Sequence, residues 1–132
     1  MNGLLSVSAW PGTNASCRAL EVTVVVRDEL VPWRYPPLRE LQFGEWLREE
    51  LEAGCIPPPA LDPDLAILLT KVMQRSSCLI GIPASELFDP VPQKDFTRAL
   101  FDTTAQWNEE SDWHGDELTV VLALARILPR RP

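Results

Sequence analysis

Hydrophobic and polar positions change their period several times along this chain, and each change marks an element. From Ala19 to Val26 the run is nearly all apolar, and Val22, Thr23, Val24, Val25 and Val26 are β-branched. Two heavy atoms on Cβ favour extended backbone, so the run predicts a strand. Leu41 and Phe43 alternate with Gln42 and Gly44, the period of a second strand that leads toward Trp46. WLREELEAG follows with helix formers and a stopping Gly54. Leu65, Leu68, Leu69, Val72 and Met73 keep helical spacing behind Asp62-Pro63, which predicts a helix over about 63–76. CLIGIP predicts a short buried strand. Phe96, Leu100, Phe101, Thr104 and Trp107 mark one face of another helix, and ELTVVLALARIL predicts a last helix that is apolar nearly all round.

Proline modifies this picture. Nine of the thirteen prolines cluster as VPWRYPP, CIPPPALDP and LFDPVP and cut the chain into short elements. With 132 residues there is about one domain's worth of chain, enough to bury roughly two-thirds of the surface of the unfolded form. The apolar share of 45% and charged share of 23% are those of a globular protein, not of a disordered one. A net charge of −7 argues against a nucleic-acid partner and favours a cationic small ligand or none. Cys17, Cys55 and Cys78 match neither a disulfide framework nor a zinc spacing, which predicts a reducing compartment. No window approaches the roughly 20 apolar residues of a membrane span, and the first residues lack a basic signal-peptide start. A soluble, cytoplasmic protein is expected, with no membrane partner.

Glu21 interrupts the first strand's apolar run, in phase with Thr23 and Val25. Buried without a partner it would cost several kcal/mol. It is therefore exposed, paired with a residue such as Arg18 or Arg27, or held at a site for metal or proton transfer. The lone His114, in a polar loop, reads as a surface residue. Trp46, Trp107 and Trp113 each stand beside carboxylates, in GEWLREE, QWNEESDW and DWHGDE. Indole faces next to anions suit an organic cation; alternatively, Trp46 and Trp107 are core anchors and Asp112 or Asp116 only caps the last helix. DPDLAIL imitates a metal motif, but Pro63 at a helix start favours capping.

The segments RALEVTVVVRDELVPWRYPPLRELQFGEW, DLAILLTK, ELFDPVP and WNEESDWHGDELTVVLALARI, in that order, resemble the bacterial aminoglycoside 3''-adenylyltransferases, the streptomycin and spectinomycin resistance enzymes of the nucleotidyltransferase superfamily. The resemblance runs from about Arg18 to Ile127, and more loosely from Leu4. It implies an α+β protein: a nucleotidyltransferase α/β domain over 1–91, followed by an all-helical domain that begins over 92–132. It also implies transfer of AMP from ATP to a drug hydroxyl with Mg²⁺. Glu21 matches the family's general base. Trp46 and Asp116 match positions lining the drug site, Trp107 and Asp112 a pair implicated in streptomycin recognition, and Arg126 an arginine near the nucleotide phosphates.

The family's G-S…D-x-D metal and ATP signature has no counterpart in MNGLLSVSAWPGTNASC, and similarity stops near Ile127. The chain is thus expected to be an internal piece lacking the first strands and the rest of the helical domain. Such a piece is expected to hold no metal and to bind ATP poorly alone, to be weakly active or inactive, and to self-associate where the family is monomeric. A non-catalytic remnant of a decayed resistance cassette and an interaction module using an open sheet edge are the two other classes.

Overall fold

A computed structural model describes residues 1–115 and 117–127. Packing divides the chain into two compact units, Met1–Asp62 and Pro63–Pro132. This is a division of contacts, separate from the domain boundary at 91/92 that the resemblance implies.

In the first unit α1 (Asn2–Val7) leads to a loop that returns on itself, where Ser8 and Arg18 form an isolated parallel bridge. β1 (Val22–Val24) is followed by α2 (Arg27–Leu30), β2 (Leu38–Arg39) and β3 (Leu41–Phe43). A 3-10 turn, Glu45–Leu47, runs into α3 (Arg48–Glu52), and β4 (Ala60–Leu61) closes the unit. β1 pairs antiparallel with β3, Val22 facing Phe43 and Val24 facing Leu41, while β2 pairs antiparallel with β4. The strand expected over 19–26 shrinks to three residues, because its partner offers three and Arg27 already begins a helix. Gly54 ends α3 as expected, at a φ of 83° that a side chain disfavours. Leu30, Phe43, Leu51 and Pro37 are buried apolar side chains of this unit, the first three each worth about 1.5–3 kcal/mol over an exposed one.

The second unit contains α4 (Asp64–Gln74), α5 (Ala84–Leu87), α6 (Gln93–Thr104), α7 (Glu110–Trp113) and α8 (Glu117–Ile127). α4 packs on α6. Leu65, Ala66 and Leu69 are buried on the one and Ala99 on the other, the two alanines fully, so small residues mark both helices' buried faces. Thr103 Oγ1 donates to Asp64 at 3.0 Å across the pair.

Two expectations change here. CLIGIP is an exposed loop with Leu79 91% and Ile80 94% exposed, not a buried strand. It has no partner strand, Gly81 turns it at φ 86°, and Pro83 withholds a donor. Phe101 points out, 65% exposed, and Ala99 takes its place on the buried face of α6. Asp62, just before α4, pairs with Arg39 at 2.6 Å, and Pro63 occupies the cap position of the helix. α8 does leave Leu118, Val121, Leu122 and Leu124 exposed, as its all-round apolar pattern implies. Among the described residues no helix is long and apolar enough to cross a membrane.

Candidate functional site

Glu21 immediately precedes Val22, and Gly44 immediately follows Phe43. Since Val22 and Phe43 face one another, Glu21 and the Gly44-Glu45-Trp46 turn leave the same end of the β1–β3 pair. Glu21 is exposed, and neither Arg18 nor Arg27 forms a salt bridge with it; Arg27 pairs with its neighbour Asp28 at 3.3 Å. Of the three readings open to this carboxylate, pairing with those arginines drops out. What stands there is a solvated acid at a strand end.

Trp46 is 53% exposed and therefore no core anchor. Its indole lies over Gly44. A Cβ at position 44 would fall within 3.0 Å of three ring carbons, so space, not backbone conformation, demands the glycine. Trp46, Trp10, Glu45, Arg48, Glu49, Glu50 and Glu52 line a cavity of about 560 Å³. Indole walls with a largely acidic rim suit an organic cation.

Two of these lining residues, Glu45 and Arg48, belong to a polar cluster. Glu45 is only 3% exposed. Arg48 forks onto it, Nε to Oε2 at 2.7 Å and Nη2 to Oε1 at 2.9 Å, and Ser8 Oγ also donates to Oε1. Arg48 further donates to the Ser8 carbonyl at 2.6 Å, the Leu5 carbonyl at 3.2 Å and Glu52 at 3.0 Å. The Arg48 guanidinium first, and the Ser8 hydroxyl second, hold the Glu45 carboxyl below the usual carboxylate range; Glu45 in turn raises Arg48. Sequence reading passed over Ser8, Trp10, Glu45 and Arg48. The i, i+3 spacing of Glu45 and Arg48 was a signal, but nothing local pointed to Ser8, 37 residues away.

Trp107 and Asp112 belong to the second unit. Trp107 is half-buried just past α6, its N–H bonded to the Thr104 carbonyl at 3.1 Å. Asp112 is exposed and forms a capping box at α7, accepting from the Glu109 N–H at 2.9 Å while the Glu109 side chain accepts from the Asp112 N–H. It thus caps α7, not the last helix. His114 is on the surface, 3.9 Å from Glu117. Asp116 and the side chain of Arg126 lie outside the described residues. Among those described, no group of three or more His, Cys, Asp or Glu could hold a metal ion, and all three cysteines are free.

Sequence comparison now bears on the arrangement. A model of the aminoglycoside adenylyltransferase C-terminal domain matches residues 86–130. An aminoglycoside (3'')(9) adenylyltransferase of Rhizobium radiobacter is 53% identical over 127 residues, 96% of this chain and 47% of the relative. This chain is a homologue of the aminoglycoside adenylyltransferases. The spectinomycin 9-adenylyltransferase of Staphylococcus aureus is 45% identical over 94% of the chain and 47% of its own length. A crystal structure of the spectinomycin adenyltransferase of Enterococcus faecalis, with ATP and spectinomycin, matches at TM-score 0.83 and 32% identity, over 91% of this chain and 48% of that one. The mixed α and β architecture expected from the adenylyltransferase resemblance is therefore present, and the chain spans about half the length of these relatives.

Proposed function

We propose that this segment supplies the hydroxyl-activating base and part of the drug-binding surface of an aminoglycoside O-adenylyltransferase, whose chemistry is ATP + aminoglycoside → O-adenylyl-drug + pyrophosphate. The observation that supports it is the exit of Glu21 and the Trp46 turn from one end of the β1–β3 pair. Glu21 accepts the proton of the drug hydroxyl as that oxygen attacks the α-phosphate; as an exposed carboxylate it is open to substrate. Trp46 stacks on a cationic group of the drug, and Trp107, Asp112 and Asp116 contribute further stacking and charge. Arg126 is assigned to the nucleotide phosphates, where a guanidinium fork fits phosphate oxygens. In such a transfer Mg²⁺ neutralises phosphate charge. The described residues do not form a seat for it, and no step here runs through the ion. Residues 92–132 are assigned to the start of the helical domain, a reading supported by the match at 86–130.

Streptomycin carries two guanidinium groups, which stack on indole and fork onto carboxylate, whereas the amines of spectinomycin are point charges. Streptomycin is expected to quench tryptophan fluorescence more than spectinomycin, and the Asp112→Asn, Asp116→Asn double variant to reduce the difference. Equal quenching by both drugs, unchanged in that variant, refutes the substrate-binding assignment. The base is tested separately. Any O-adenylyl-streptomycin formed from Mg-ATP must fall in Glu21→Gln, and product that survives this substitution refutes the role of Glu21.

A further inference from the structure

We propose that Glu45 is a positioning residue that couples the strand entry bearing Glu21 to the turn bearing Trp46. The proposal rests on the roles given above to those two residues, but its geometry does not. The Leu20 N–H, one residue before Glu21, donates to Ser8 Oγ at 3.0 Å, and Ser8 Oγ in turn donates to Glu45 Oε1. Glu45 adjoins Trp46 in the chain and, with Arg48, lines the same cavity. One hydroxyl and one carboxylate therefore join the backbone on one side of the strand end to the backbone on the other.

Why a carboxylate stands there is a question of geometry. A buried ion pair is a poor source of stability, and an apolar side chain of similar size would fill the place at less cost. A carboxylate held by a two-pronged guanidinium and a hydroxyl has, by contrast, one orientation. Arg48 adds bonds to the Leu5 and Ser8 carbonyls and to Glu52, so α1, the loop after it and α3 all converge on this group. Every polar atom of the cluster is satisfied, since no buried side-chain nitrogen or oxygen among the described residues lacks a partner. Neither Glu45 nor Ser8 need touch substrate: their effect passes through Leu20 and Trp46.

The test is amide hydrogen exchange and tryptophan emission on the full chain without drug, comparing Ser8→Ala, Glu45→Gln and the double variant. Loss of a hydrogen bond that ends on a charged group should speed exchange at the Leu20 amide roughly tenfold in either single variant. The double variant should be no faster than the faster single, because both cut one chain of bonds. Trp46 emission, isolated by difference from Trp46→Phe, should shift in all three, and Ser8→Thr, which keeps the hydroxyl, should restore both signals. Exchange at Leu20 that responds to Ser8→Ala but not to Glu45→Gln, or a Trp46 signal indifferent to both, overturns the coupling. Should Glu45→Gln fail to fold, Arg48→Lys takes its place: it keeps the charge, loses the fork, and must move the same two signals. Because no drug is present, a chain that never binds streptomycin would refute the functional assignment and leave this result standing.

Discussion

The turn that carries Trp46 and the segment that carries Trp107 and Asp112 are held by different kinds of bond. Glu45 and Arg48 anchor the first through contacts with Ser8 and Leu5, about forty residues away in sequence. The second is held by its own neighbours: Trp107 on the Thr104 carbonyl, Asp112 on the Glu109 N–H, each three residues off. A long-range buried cluster fixes an orientation only when the whole unit is folded. A capping box forms with one turn of helix and dissolves with it. The Trp46 turn is thus preorganised within its unit, while the 107–113 segment is ordered locally and cheaply.

The largest effect expected from breaking this contrast is in Arg48→Ala. It strips Glu45 and two backbone carbonyls of their donor and leaves a buried carboxylate without its cation. The thermal midpoint of the Met1–Asp62 unit, followed by the exchange of its amides, should fall further than for any change in the 107–113 segment; an equal or smaller fall breaks the contrast.

Acid is the next probe. The folded-state pKa of Glu45 lies below its ordinary value, so its stabilisation is fully present above that ordinary value and is lost as pH falls through the lower, folded one. Stability of the unit should fall on acidification through that window, and less steeply in Glu45→Gln. Parallel acid curves for the two proteins would contradict the linkage.

Asp112→Ala removes one arm of the capping box and should cost about 0.5–2 kcal/mol in denaturant unfolding, confined to local protection around α7. A change in Leu20 exchange from this substitution would show that the two regions are not held separately. The smallest stability effect should come from Gly44→Ala. Its new Cβ forces the exposed Trp46 ring to rotate, for roughly 0.5–1.5 kcal/mol, and the visible result should be a shifted indole resonance.

Much of this organisation was legible in the chain. The Leu41–Phe43 strand, the helix near 63–76, the exposed His114 and the Gly54 stop all follow from periodicity and turn chemistry, and each is found. The failures have one origin. CLIGIP has the composition of a buried strand, but a strand needs a partner, and partners are a tertiary fact. Phe101 fits a helical stripe, yet the buried position on α6 is Ala99. In the site, Glu21 and Trp46 were visible as residue types out of place or beside carboxylates. Glu45 was hidden, because a glutamate beside an exposed tryptophan looks solvated until Ser8 and Arg48 enclose it.

The central claim is that a cationic drug is recognised at Trp46, and a calorimetric titration of streptomycin at low salt into the wild-type chain and Trp46→Ala tests it most directly. A stacked guanidinium contributes roughly 0.5–2 kcal/mol when partly desolvated. Without the remainder of the relatives' length, the wild-type affinity should be on the order of millimolar, near −4 kcal/mol, weakening as salt is added. Loss of measurable heat in Trp46→Ala, with the fold retained, is the predicted result. No binding by the wild type, or the same isotherm in both proteins, would contradict the account.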